Sequence, residues 1–348
     1  MRDTIPVRAD ERFPVAHVAS YLRTHGLEVG ELEVEQFPAG HSNLTYLLRS
    51  GEWEGVLRRP PLGPVPPRAH DMPREFRILQ RLHPHFELAP RPYVVCEDAN
   101  IIGVPFYVME RRRGLILDQD LPPHWTPDPQ LHHAIAESLV RVLVELHAVD
   151  WRAAGLDDIG HPEGYMQRQV TGWIERYSRA RTVDIPGVDR LSEWLTENLP
   201  ESPPPTVVHN DYKLNNVLLD AHEPQRITAV LDWEMATIGD PLSDVASLLV
   251  YWTEPGDAHA MGALKSVTSE PGFPSREEVL EMYCRASGRD VRDLKWYVAF
   301  AYFKIGAIIQ QIYYRWFKGQ THDERFSGHG ALATYLIQRA ITVARLSS

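Results

Sequence analysis

Two neighbouring stretches decide how this chain is read. They are Val207-Val-His-Asn-Asp-Tyr-Lys-Leu-Asn-Asn-Val-Leu-Leu-Asp220 and Ala229-Val-Leu-Asp-Trp-Glu-Met-Ala-Thr-Ile-Gly-Asp-Pro-Leu-Ser-Asp-Val-Ala246. Each contains a short apolar run of strand type with a polar residue at one end: Asn216 opens the first and Asp232 closes the second. A hairpin would bring these together as an amide oxygen and a carboxylate, hard ligands of the kind Mg²⁺ takes alongside waters and phosphate oxygens. Asp211, five residues before Asn216 on the loop, would then reach a hydroxyl beside a metal-held phosphate. Phosphoryl transfer asks for little more, because positioning and charge neutralisation do most of the work.

The pattern His209-x-Asp211-x-x-x-x-Asn216 resembles the catalytic loop of aminoglycoside phosphotransferases and choline kinases. Asp232 matches their metal-binding Asp, and Gly239-Asp240-Pro241 through Asp244 matches their Gly-Asp-Pro-x-x-Asp segment. The resemblance runs from about Phe37 to at least Val250, and Leu231–Asp240 looks especially like the kinase-type domain fused to some acyl-CoA dehydrogenases. It implies an α+β, protein-kinase-like bilobal fold with a β-rich N-lobe, a mainly helical C-lobe and Mg²⁺–ATP (or another nucleoside triphosphate) in the cleft. It implies that Asp211 orients or deprotonates the acceptor hydroxyl, that Asn216 and Asp232 hold Mg²⁺, and that Lys213 contacts the transferring phosphate. His209 would brace the loop, while Asp244 would cap the following helix and fix the loop from behind.

The rest of the chain is consistent with two lobes, residues 1–113 and 114–348. Apolar residues at helical spacing (Val15, Val18, Ala19, Leu22) predict a helix ended by Gly26. Short β-biased runs follow at Leu32–Phe37, Leu44–Leu48, Gly55–Leu57, Pro92–Cys96 and Val104–Met109, with a helix over Arg74–Leu82. From Leu131 the pattern is helical apart from Thr206–Leu231: Leu131–Val149, Met166–Ala180, Arg190–Leu199, Leu242–Trp252, Glu277–Ala286, Asp293–Phe317 and Gly330–Arg345. Aromatics of Trp296–Phe317 are expected to build the C-lobe core.

In the N-lobe, Gly40, His41, Ser42 and Asn43 fall where a phosphate-covering loop belongs, offering small side chains and backbone N–H groups. The strand position at which kinases place a lysine holds Arg58, and Glu75 is its expected helix partner. Met109, Glu110, Arg111 and Arg112 correspond to the hinge whose backbone receives the nucleotide base.

Composition narrows the alternatives. The net charge of −11 argues against a general nucleic-acid binder. Residues 1–115 carry 15 basic and 15 acidic side chains, so the deficit, 21 against 32, falls in residues 116–348. Solvated helix faces account for it, and so would a pocket for a cationic acceptor. Two distant cysteines and the lack of a signal peptide or a long apolar run point to a cytoplasmic protein without a membrane span; a monomer or homodimer is expected. The histidines lack zinc-ligand spacing. The expected reaction is transfer of a γ-phosphoryl group to a hydroxyl of a small molecule, aminoglycoside-like or hydroxyacyl-CoA-like. A nucleotide-binding pseudokinase and a metal-dependent phosphohydrolase are the alternatives.

Overall fold

The computed structural model describes residues 3–38, 43–62, 70–123, 125–257, 262–321 and 323–346. The chain divides into two compact units. The first is Met1–Gly114 with Arg152–Ile159 and Thr228–Ala236; the second is Leu115–Trp151, Gly160–Ile227 and Thr237–Ser348.

The first unit is built on an antiparallel sheet of β1 (Ile5–Pro6), β2 (Glu33–Gln36), β3 (Leu44–Ser50), β4 (Trp53–Arg59), β5 (Pro92–Cys96) and β6 (Phe106–Glu110). Its order is β1-β2-β3-β4-β6-β5. Strand alternation sends successive side chains to opposite faces. Tyr46, Leu48, Leu57 and Val108 pack with Val18, Ala19 and Leu22 of helix α1 (Val15–Thr24) in one core cluster. Arg58 and Tyr107, register partners across β4 and β6, therefore fall on the opposite face, where Tyr107 meets Phe76 of helix α2 (Met72–Leu82). Asp71 caps α2 by accepting from the Arg74 N–H, with Pro73 in the first turn.

The second unit is mainly helical: α3 (Pro129–His147), α4 (Tyr165–Ala180), α5 (Val188–Glu197), α6 (Pro241–Tyr251), α7 (Arg276–Ser287), α8 (Leu294–Phe317) and α9 (His329–Ala344). Helix α8 buries Trp296, Tyr297, Phe300, Tyr302 and Phe303, whereas its C-terminal Phe317 is exposed. Short strands β7 (Thr206–Val208), β8 (Val217–Leu219) and β10 (Thr237–Gly239) interrupt the helices, while β9 (Ile227–Val230) belongs from Thr228 onward to the first unit. Antiparallel pairing of β7 with β10 sets Val207 opposite Ile238. No helix among the described residues is long and apolar enough to cross a membrane.

Candidate active site

In the second unit, β7 delivers the chain into the loop His209–Asn216. The loop is pinned from below by Asp244, a fully buried residue of α6. Its Oδ2 accepts from the His209 N–H at 2.6 Å and its Oδ1 from the Asn210 N–H at 2.6 Å. His147 Nε2 lies 3.3 Å from the same carboxylate. Burial alone would raise the Asp244 carboxyl, but the hydrogen bond and charge of His147, joined by His209, hold it below the ordinary range. The cap of α6 is Asp240, not Asp244: its Oδ1 accepts from the Leu242 N–H at 2.9 Å, ahead of Pro241. That corrects one half of the role expected of Asp244; the other half, fixing the loop from behind, is what the hydrogen bonds show. Asp244 stands within the first turn of α6, past the capping position, and its carboxylate is taken up by the loop.

With His209, Asn210 and Tyr212 buried, Asp211 remains half-buried at the loop surface. Its Oδ2 receives Lys213 Nζ at 3.0 Å and Asn216 Nδ2 at 2.8 Å. The Asn216 amide also bonds the Asp211 carbonyl at 2.9 Å, leaving its own oxygen directed elsewhere. Lys213 Nζ stands 4.5 Å from the Tyr251 ring centroid. Tyr251 was not legible as a site residue. Burial chiefly pushes its hydroxyl far up, Lys213 opposing and Asp211 adding to the shift. Asp211, Lys213 and Asn216 are thus gathered on one loop.

Beside them in the same unit opens a recess of about 440 Å³, whose lining includes Asp118, Lys213, Tyr251, Trp252, Lys265 and Thr268. The one carboxylate there, Asp118, accepts from Asn215 Nδ2 at 2.8 Å.

Asp232 belongs to the first unit. It follows β9 and adopts a left-handed backbone, φ 68° and ψ 64°, at a cost of about 1–3 kcal/mol that surrounding structure must impose. Arg58 supplies part of that support: its Nη2 donates to Asp232 Oδ1 at 2.8 Å, while its Nη1 lies 3.2 Å from Glu75 Oε1. Glu75 is 1% exposed, and burial pushes its carboxyl up to about 7 in spite of Arg58. Arg58 itself is held firmly charged: Glu75, Tyr107 and Asp232 outweigh the desolvation that opposes it. Neither residue is the surface side chain that a bare sequence allows.

Around this pair the hydrogen bonding is incomplete. Arg58 Nε is buried without a partner of hydrogen-bond geometry, whereas Glu75 lies between Arg58 and the Tyr107 hydroxyl. Buried polar groups left this way are expected to meet a ligand or water. A polyanion suits the arginine, and the Asp232 carboxylate bonded to it is a hard ligand of the kind Mg²⁺ takes. The residues therefore fit a metal-bound triphosphate. Among the described residues no cluster of three or more His, Cys, Asp or Glu could hold a metal by itself.

Gly40, His41 and Ser42 lie outside the described residues. Asn43 is buried, its amide donating to Glu234 Oε2 at 2.9 Å and its oxygen 2.8 Å from His70 Nδ1. Glu234, two residues after Asp232, was not singled out by the sequence. At the expected hinge, Met109 and Glu110 are strand residues of β6, and the Glu110 N–H donates to the Arg91 carbonyl at 2.8 Å. Arg111 bonds Glu54 at 2.8 Å and Asp3 at 2.9 Å, while Arg112 donates to the Glu87 carbonyl at 2.7 Å. These side chains are committed within the first unit.

A profile of the phosphotransferase enzyme family matches residues 33–297. The chain belongs to this family. It is 36% identical over 331 residues to acyl-CoA dehydrogenase family member 11 of Rattus norvegicus, a match covering 93% of this chain and 42% of that protein. Identity to acyl-CoA dehydrogenase family member 10 of Mus musculus is also 36%, over 97% of this chain and 32% of the relative. The phosphotransferase-family chain thus spans well under half the length of the curated relatives it matches. Among solved structures, a putative aminoglycoside phosphotransferase from Ralstonia eutropha superposes with a TM-score of 0.80 at 31% identity, covering 97% of this chain and 100% of that one. A choline kinase from Cryptosporidium parvum shares the fold, at a TM-score of 0.66 and 14% identity over 95% and 96% of the two chains. The kinase-like α+β fold and the likeness to dehydrogenase-linked domains expected from the motifs are both found.

Proposed function

We propose that this phosphotransferase transfers the γ-phosphoryl group of Mg²⁺–ATP to a hydroxyl of a small anionic acceptor. The observation that carries the reading is the Asp211 carboxylate, held by Asn216 and by Lys213, the latter also lining the recess beside the loop. Asp211 accepts the hydroxyl proton or orients the hydroxyl, while Lys213 lies close enough to its carboxylate to neutralise charge on the transferring group. Asn216 and Asp232 hold the metal, which when bound supplies charge neutralisation at the phosphates. Arg58, paired with Glu75, takes the place of the strand lysine.

Lys213 and Lys265 line the recess with Asp118, and each lysine is already paired, with Asp211 and Asp120, so it is the likeness to the acyl-CoA dehydrogenases that favours an acceptor bearing carboxylate or phosphate over a polycation. A hydroxyacyl-CoA-like acid has both features, and the relatives named as acyl-CoA dehydrogenases support that choice over an aminoglycoside. We place the protein in the cytoplasm, as a monomer or homodimer without nucleic-acid or membrane partners. The test is ADP formation with Mg²⁺–ATP across a panel of hydroxy acids, their CoA thioesters and aminoglycosides, using wild type and Asp211→Ala. The expected result is acceptor-dependent ADP with anionic acceptors, lowered several orders of magnitude in Asp211→Ala with ATP affinity retained. ATP binding without turnover for every acceptor would favour a pseudokinase instead.

A further inference from the structure

Helix α8 buries a lysine inside the second unit. Lys304 is 5% exposed and sits between Phe303 and Ile305, yet no carboxylate lies within ion-pair distance of its ammonium among the described residues. Burying such a charge without a partner costs several kcal/mol unless polar groups replace its water. The groups that do so belong to one residue: Lys304 Nζ lies 3.4 Å from the Asn210 carbonyl and 3.5 Å from Asn210 Oδ1. Asn210 directly precedes Asp211.

Asn210 is also one of the few non-glycine residues with a left-handed backbone, φ 66°. That conformation costs about 1–2 kcal/mol and is kept only where the surroundings impose it. Every polar group of Asn210 with a described partner is gripped from a different helix. Its N–H donates to Asp244 of α6, its Oδ1 accepts from the Tyr165 hydroxyl of α4 at 2.8 Å, and its carbonyl faces Lys304 of α8. Gly239 makes room for this grip, since a Cβ there would stand 2.8 Å from the Tyr165 ring. The three helices thus fix the direction in which the chain leaves Asn210, and with it the aim of the Asp211 carboxylate.

We propose that Lys304 is a positioning residue for phosphoryl transfer, acting through Asn210 to hold Asp211 in its working orientation. Its lowered affinity for a proton, caused by burial and Arg176 and opposed by Asp244 and Asp211, shows that the fold carries it at a cost. Tyr165, Gln169, Asn210, Ser247 and Lys304, among others, line an adjoining, partly open recess.

The inference rests on the phosphotransfer reading of Asp211, so its test has one arm that needs no turnover. Lys304→Met, Lys304→Gln and Lys304→Arg would be compared with wild type by thermal melting, by amide hydrogen exchange over residues 208–213, and by kcat and KM on any acceptor found active. Expected are a melting temperature equal to or above wild type for Lys304→Met, and faster exchange at Asn210 and Asp211 in the Met and Gln variants. For these two kcat should fall roughly 10- to 100-fold with KM for ATP unchanged, and Lys304→Arg should recover most of it. Unchanged exchange in the folded variants would overturn the proposal whatever the activity. So would a kcat loss that merely tracks a fall in melting temperature, or one that Arg fails to recover while Met matches wild type. Absent turnover in wild type would count against the phosphotransfer reading alone, leaving the exchange result to decide the role of Lys304.

Discussion

Replacing Arg58 by methionine should destabilise the protein by an amount that grows with pH above neutrality. The reason lies in Glu75, whose ordinary value of 4.5 becomes about 7 in the fold. Because the folded value is the higher one, the neutral carboxyl favours the fold, fully below about pH 4.5, and that contribution is lost as pH rises towards 7. Over that range the loss amounts to about 3 kcal/mol. Above pH 7 the wild-type side chain is ionised in both states, so the loss levels off. Without Arg58 only the Tyr107 hydroxyl still opposes burial, and Glu75 stays neutral to higher pH. The loss then continues at up to about 1.4 kcal/mol per pH unit. The extra cost arising from Glu75 is therefore under about 1 kcal/mol at pH 7 and roughly 2–3 kcal/mol at pH 9. Loss of the Asp232 hydrogen bond and of aliphatic packing adds about 1–2 kcal/mol that is nearly independent of pH. Urea unfolding of wild type, Arg58→Met, Glu75→Gln and the double variant, with chelator present, would resolve these parts between pH 6 and 9. In the Glu75→Gln background the pH-dependent part should vanish. An Arg58→Met penalty that is the same at every pH, or one that persists undiminished in the double variant, would refute the reasoning.

Other consequences are more local. Asp244→Asn should cost roughly 2–4 kcal/mol, since one of two backbone N–H groups loses its acceptor in a fully buried site. Asp244 also stands below its ordinary 3.8, so its contribution is present above that pH and is lost as acid carries the protein through the lower folded value; the variant's acid limb in urea unfolding should be shallower. Gly272→Ala should lower the melting temperature by an amount equivalent to roughly 2–4 kcal/mol, because φ is +95° and a Cβ would stand 2.2 Å from Pro129 Cα. A melting temperature equal to wild type would mean that this segment yields.

Periodicity placed most elements because burial follows it. Pro92–Cys96 coincides with a strand residue for residue, and each helix from Leu131 onward is found within two residues or so. Ile5–Pro6 and Thr237–Gly239 escaped because two or three residues carry no alternation to read. The loop His209–Asn216 was legible since its residues act at fixed offsets along one chain segment. What completes it was not. His147, Tyr165, Tyr251 and Lys304 reach the loop from helices distant in sequence, and each looks like an ordinary helical residue until packing shows its neighbours. Lys304 sits 94 residues from Asn210, amid aromatics that read simply as core. The pairing of Arg58 with Glu75 could be expected from strand and helix phase. Its depth of burial could not, because Val56 and Leu57 beside it read the same on an edge strand as on the interior strand that β4 proves to be.

The central claim is that a phosphoryl group goes from ATP to a hydroxyl under the control of Asp211. The most direct measurement is the ratio of phosphorylated acceptor to ADP, read by mass spectrometry and ³¹P NMR for wild type and Asp211→Ala with an anionic hydroxylated acceptor. The account predicts one phosphomonoester per ADP, and neither product in quantity from Asp211→Ala. Free phosphate accumulating with ADP while the acceptor stays unmodified, or a ratio and rate untouched by the substitution, would contradict it.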